Sequence, residues 1–106
     1  MKKVAIYHMA LDPIRKGCIE VQIDILKHFA KTNGWEITKI YYDNTNRAND
    51  KHELRQLIED SKNGNFDIVL MKNAYFISRR TPQFVEVWKQ LKMNNVTLYT
   101  LCEGEL

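Results

Sequence analysis

Residues 66–71 read FDIVLM, and the run Ile68-Val69-Leu70-Met71 decides the architecture of this chain. It shows no polar alternation. A strand with one wet face alternates apolar and polar side chains, whereas a strand covered on both faces is apolar throughout, as in parallel sheets. A central parallel strand is therefore expected at 66–71, and parallel neighbours need crossover helices between them.

On either side of this run the chain alternates strand and helix signals. Val4 to His8 is a short apolar run that fits a second central strand. A polar loop with Asp12-Pro13 and Gly17 follows. Ile19, Gln22, Ile23, Leu26 and Phe29 or Ala30 then recur at helical spacing, and Asn33-Gly34 supplies the stop. Trp35 to Tyr42 is rich in strand formers, anchored by Ile37, Ile40 and Tyr41. The polar stretch DNTNRANDKHE leads to a helix opened by Asp50 and Glu53 in the manner of a capping box, with Leu54, Leu57 and Ile58 as its buried stripe. Asn63-Gly64 ends it. Thr81-Pro82 starts a third helix, with Phe84, Trp88 and Leu91 on its inner face, and Val96 to Leu101 is the last strand.

The predicted order is β-α-β-α-β-α-β in one domain over residues 1–106, with no repeat and no low-complexity segment. Right-handed crossovers make this a three-layer α/β fold: a mostly parallel sheet of four strands or slightly more, with helices on both faces.

Composition agrees with a single globular domain: 44% hydrophobic and 27% charged residues in a chain of 106. No apolar run approaches the ~20 residues of a membrane span. The opening MKKVAIYHMALDP is broken by Tyr7-His8 and lacks a small-residue cleavage site, so it does not read as a signal peptide. Cys18 and Cys102 are the only cysteines and have no zinc-like spacing, which suits a reduced cytoplasmic protein without a metal centre. The formal charge of +3 permits a nucleic-acid partner without demanding one.

In open α/β sheets, ligands gather past the carboxyl ends of the strands. The loops there hold Arg15, Lys16, Arg47, Lys51, Lys72, Arg79 and Arg80, seven of the sixteen basic residues. Little else in that chemistry is recognisable. The four glycines, at 17, 34, 64 and 104, are scattered and form no phosphate loop. His8, His28 and His52 have no evident carboxylate and nucleophile partners, and His8 and His28 read as structural. No cofactor is expected.

The order and spacing of these pieces resemble the N-terminal catalytic domain of resolvase/invertase-type serine recombinases. The telling segments are CIEVQIDILKHFAKTNGWEI, FDIVLMKNAYFISRR and NNVTLYTLCEGEL, and the resemblance covers essentially the whole chain. In that family the first strand ends in Tyr-x-Arg-x-Ser. The serine attacks a DNA phosphate while arginines stabilise the developing charge, which is nucleophilic catalysis helped by preorganised cations. Tyr7 matches the tyrosine, but Met9 stands at the arginine position and Leu11 at the serine position. The family's third-strand loop, Leu-Asp-Arg-Leu-Ser-Arg, is similar to Ala74-Tyr75-Phe76-Ile77-Ser78-Arg79, where Tyr75 and Phe76 replace the Asp and the first Arg. Gln22 matches the family's first-helix glutamine, and Lys51 stands in place of the arginine that the family has before the second helix.

The resemblance thus implies a resolvase-like domain associated with DNA recombination whose catalytic set is not intact at Met9, Leu11, Tyr75 and Phe76. Tyr7, Gln22, Ser78 and Arg79 are its remnant, and Lys51, Lys72, Arg79 and Arg80 are candidates for DNA-phosphate contact. Met9, Leu11, Tyr75 and Phe76 are expected to pack together over the former site, because buried charges without partners are costly. The family's long dimerisation helix and DNA-binding domain would follow Leu106 and are expected to be absent from this chain. Weak, non-specific DNA binding or contact with a related recombinase is the expected partnership, with oligomeric state open. The alternatives are a protein-interaction module without a DNA role, or an α/β enzyme with unrelated small-molecule chemistry.

Overall fold

The computed structural model describes residues 2–9, 16–43, 52–72, 81–101 and 104–105. The elements run in the order β1 (Lys3–Met9), α1 (Lys16–Thr32), β2 (Glu36–Asp43), α2 (His52–Ser61), β3 (Ile68–Met71), α3 (Thr81–Met93), β4 (Thr97–Thr100) and β5 (Gly104–Glu105). The strands form one five-stranded sheet in the order β2-β1-β3-β4-β5. Every pairing from β2 to β4 is parallel, and β5 returns antiparallel along β4. All four residues of β3 are buried, as its unbroken apolar run requires.

Alternation along the strands sends side chains to two separate cores. Val4 and Ile6 of β1 and Ile68 and Leu70 of β3 meet Leu26 and Ala30 of α1 on one face. Ala5, Tyr7, Val69, Met71 and Leu98 meet Leu54, Leu57 and Leu91 of α2 and α3 on the other. The molecule therefore has the expected three layers, with α1, among the described helices, alone on one side.

β2 departs from strict alternation. Val4 pairs with Ile37, but Ala5 pairs with Lys39, so Thr38 is an extra residue in the ladder. Its hydroxyl donates to the Val4 carbonyl at 3.2 Å, which occupies the bulge locally. Because the bulge shifts the parity, Ile37 and Ile40 both face α1 although they are three positions apart. Tyr41 then turns toward α2 and Tyr42 toward α1.

Two helices end in the same hydrogen-bonded turn. After α1, the Gly34 N–H reaches the Lys31 carbonyl (3.0 Å) and the Trp35 N–H the Ala30 carbonyl (2.9 Å). After α3, Asn95 and Val96 bond Lys92 (3.0 Å) and Leu91 (2.8 Å) in the same pattern. This termination needs a left-handed residue, supplied by Gly34 at φ 73° and by Asn95 at φ 62°.

The short β5 is the one strand not anticipated. Two residues, one of them glycine, carry no hydrophobic period, so only pairing with β4 reveals the strand. The Asp50 cap proposed for α2 and residues 102–103 lie outside the described residues, as does the side chain of Phe84.

Candidate functional site

Because β1, β2, β3 and β4 are mutually parallel, their carboxyl ends share one rim of the sheet. β1 enters it as Tyr7-His8-Met9, β2 as Tyr41-Tyr42-Asp43 and β3 as Met71-Lys72. The structure places Tyr7, Gln22 and Lys72 of the predicted site residues. Leu11, Lys51, Tyr75, Phe76, Ser78, Arg79 and Arg80 lie outside the described residues. Of Met9 the backbone is described, paired with Asp43 at the end of the β1–β2 ladder. The proposed packing of Met9, Leu11, Tyr75 and Phe76 therefore lies outside the described residues as well.

Tyr7 has no exposed surface and packs in the α2/α3-side core with Tyr41 and Met71. Gln22 is half-buried on α1, the helix of the opposite layer. These two remnant positions thus belong to different faces of the sheet. Lys72 is half-buried, and its ammonium acts on His8 across β1 and β3.

His8 and Thr100 are the buried polar residues among the described ones at this rim, and His8 has 4% of its surface exposed. Its ring and that of Tyr42 are 6.4 Å apart and 14° from parallel, a stacked pair joining residues opposite one another in the β1–β2 ladder. Burial, and after it the positive charge of Lys72, holds the His8 imidazole below its ordinary pKa. Burial raises the Tyr42 phenol. At neutral pH the His8 imidazole and the Tyr42 phenol are therefore uncharged, beside the Lys72 ammonium.

A second polar cluster ties β2 to α2 on the other face. The Tyr41 hydroxyl donates to Asp60 Oδ2 at 2.5 Å, and Gln56 Nε2 donates to Asp60 Oδ1 at 2.9 Å. Lys39 Nζ lies 3.6 Å from the same carboxylate and 4.7 Å from the Tyr41 ring centroid. Burial first, then the Asp60 hydrogen bond and charge, pushes the Tyr41 phenol far above its ordinary value. The Tyr41 and Gln56 hydrogen bonds hold the Asp60 carboxyl below its usual range. Every member is accounted for by packing β2 on α2, so this cluster is structural.

Sequence reasoning treated His8 as structural and did not pair it with Tyr42 or Lys72. The available signal was positional: each lies at the end of, or just past, an apolar strand run. The bulge at Thr38, which decides whether Tyr41 or Tyr42 stands beside His8, becomes visible only once the strands are paired.

Comparison with known proteins places this chain in a family. The profile described as "Resolvase, N terminal domain" matches residues 14–106. Among solved structures, the N-terminal catalytic domain of TP901-1 integrase is similar at 27% identity and a TM-score of 0.85, over 97% of this chain and 79% of that one. A resolvase family site-specific recombinase from Streptococcus pneumoniae is similar at 22% identity and the same TM-score of 0.85, over 98% of this chain and 74% of that one. The C-terminal catalytic domain of ISC1926 TnpA, an IS607-like serine recombinase, shares the fold at 18% identity and a TM-score of 0.85, over 93% of this chain and 69% of that one. No curated protein sequence matched. The chain has the α/β catalytic-domain fold of a serine recombinase. It belongs to the resolvase N-terminal domain family.

Family membership makes DNA and other recombinase subunits the general class of partner. Among the described residues, no helix is long and apolar enough to cross a membrane.

Proposed function

We propose that this chain is a serine-recombinase domain that no longer cleaves DNA and retains a weak, sequence-independent affinity for DNA phosphates along its carboxyl rim. One observation carries the proposal: Leu11 stands where the family's nucleophilic serine is expected, and leucine has no atom that attacks phosphorus. The changes around it point the same way. Met9, Tyr75 and Phe76 replace two arginines and an aspartate of the same site. Loss of a nucleophile costs on the order of 10⁶ in rate, and loss of a charge-stabilising donor from an otherwise intact site costs ~10²–10³, the two not being additive. The family match begins at residue 14, past the segment that holds Met9 and Leu11, which is consistent with divergence there.

Lys51, Lys72, Arg79 and Arg80 are the cations proposed to meet the DNA backbone. Such contacts release counterions, so the logarithm of affinity falls by about 0.9 per contacted phosphate for each decade of salt. Four contacts give a slope of about −3.6 by that rule.

The test uses supercoiled DNA, with a nucleophile-intact serine recombinase run on its own site as the positive control. The control traps a denaturant-stable protein–DNA adduct; this chain is expected to form none, while shifting DNA at low salt without sequence preference. A covalent adduct on this chain overturns the loss of cleavage. Binding that persists unchanged at high salt overturns the phosphate-contact reading.

A further inference from the structure

Two polar side chains of the rim, Tyr42 and His8, stand side by side on adjacent strands, and Lys72 follows the end of the next strand, β3. Tyr42 comes from β2 and His8 from β1, directly opposite one another in the ladder. Lys72 follows the end of β3, two positions after Leu70, the partner of Ile6, and its charge reaches the His8 imidazole from that strand end. Neighbouring strands are ~4.8 Å apart, so one small ligand can reach side chains from two of them. Neither His8 nor Tyr42 belongs to the positions that the family resemblance assigns to cleavage.

The groups facing His8 define its electrostatics. From β2 comes the Tyr42 ring, stacked on the imidazole at 6.4 Å and kept protonated by its burial. From the end of β3 comes the Lys72 ammonium. From α1, the acids Glu20 and Asp24 lie on the exposed side of the helix, away from the strands it covers. An imidazole and an ammonium side by side repel when both are charged, and an anion between them removes that cost while accepting a charge-assisted hydrogen bond from each.

We propose that Tyr42, His8 and Lys72 form a proton-linked site for a phosphate-class oxyanion on the α1 face of the rim. Lys72 supplies the permanent charge, His8 becomes a second donor on protonation, and Tyr42 is the wall that sets the plane of the imidazole. The site deepens the phosphate-contact half of the proposed function and rests on it for the claim about DNA. It is independent of whether the chain cleaves DNA. Because the anion stabilises protonated His8, binding takes up a proton and tightens as pH falls through the histidine range.

The test follows the His8 imidazole by NMR across pH, in inorganic phosphate and in chloride at matched ionic strength. Phosphate is expected to raise the His8 pKa by about one unit relative to chloride, equivalent to about tenfold tighter binding to the protonated form. Lys72→Gln is expected to abolish the phosphate-dependent rise and, in chloride, to lift the His8 pKa toward its ordinary value. Lys72→Arg keeps the charge and retains the rise, and Tyr42→Phe keeps the ring and retains it too. An equal pKa in phosphate and chloride, or a phosphate-dependent rise that survives in Lys72→Gln, overturns the site. A short DNA duplex then separates the sources of phosphate. Movement of the His8 and Lys72 signals with the duplex identifies the nucleic-acid backbone as a ligand, whereas movement with inorganic phosphate alone identifies a site for free anion. Neither result depends on the adduct assay, so failure of this site and failure of the cleavage proposal are distinguishable.

Discussion

Tyr41 and Asp60 show how much one hydroxyl does in a small domain. The 2.5 Å hydrogen bond joins edge strand to helix and is backed by Gln56 and Lys39. A hydrogen bond to a charged group contributes about 1.5–3 kcal/mol. Tyr41→Phe keeps the ring in its core and is expected to cost about 2 kcal/mol in denaturant unfolding, with Asp60 titrating closer to its usual value by NMR. The pH dependence has a definite sign on each side. Tyr41 is raised in the folded state, so its contribution is full below the ordinary tyrosine value near pH ~10 and is lost as pH climbs above it. Tyr41→Phe is expected to flatten that alkaline loss. His8 is lowered in the folded state, so the unfolded chain takes up its proton first and stability falls as pH drops below about 6.5. Thermal melts of wild type and His8→Gln through that window measure the slope, which is expected to be shallower in the variant.

The helices and strands differ in how plainly they were written. β3 was legible because four consecutive apolar residues leave no wet face. The end of α1 was legible because Asn33-Gly34 names its own turn. The end of α3 has an equivalent turn with Asn95 at φ 62° in the glycine role, and asparagine is a weaker signal for it. The two positions therefore predict opposite responses: Asn95→Gly is expected to stabilise by about 0.5 kcal/mol, and Gly34→Ala to destabilise by about 1 kcal/mol. No atom lies within 4 Å of the Cβ added at Gly34, so backbone strain alone sets that cost. Urea midpoints at constant m-value test both. The β2 bulge was hidden, since Ile37, Ile40 and Tyr41 fit neither a period of two nor an obvious break until pairing exposes Thr38. α2 and α3 are also joined near their ends, where Asn94 Nδ2 donates to Ser61 Oγ at 2.9 Å and that hydroxyl donates to the Ile58 carbonyl. Packing of two crossover helices on one face brings these residues together from 33 positions apart, a distance no local pattern spans.

For the whole molecule, the three-layer fold and its family were readable from the order of elements, and the rim was readable as a place. Its chemistry was only partly so. The resemblance sets Leu11 opposite the family's serine, which is why loss of cleavage is proposed, whereas the Tyr42–His8–Lys72 grouping depends on strand neighbours that sequence distance conceals. The double substitution Met9→Arg with Leu11→Ser tests how far the divergence extends. It is expected to give no covalent DNA adduct, because Tyr75 and Phe76 still stand in the second motif; an adduct would show that the first motif alone limits cleavage.

The place of β1 between β2 and β3 also sets a timetable for synthesis. Of the five strands of the sheet this one is synthesised first, yet Val4 pairs with Ile37 on one side and with Ile68 on the other. At about 5–20 residues per second, the second partner emerges some seconds after the first strand has been made. Until then Val4, Ala5, Ile6 and Tyr7, fully buried in the finished domain, have a partner strand on one side only. Of the strands with two neighbours, β1 thus waits longest between its own synthesis and the arrival of its second partner, since β3 and β4 are completed by strands that follow them more closely in the chain.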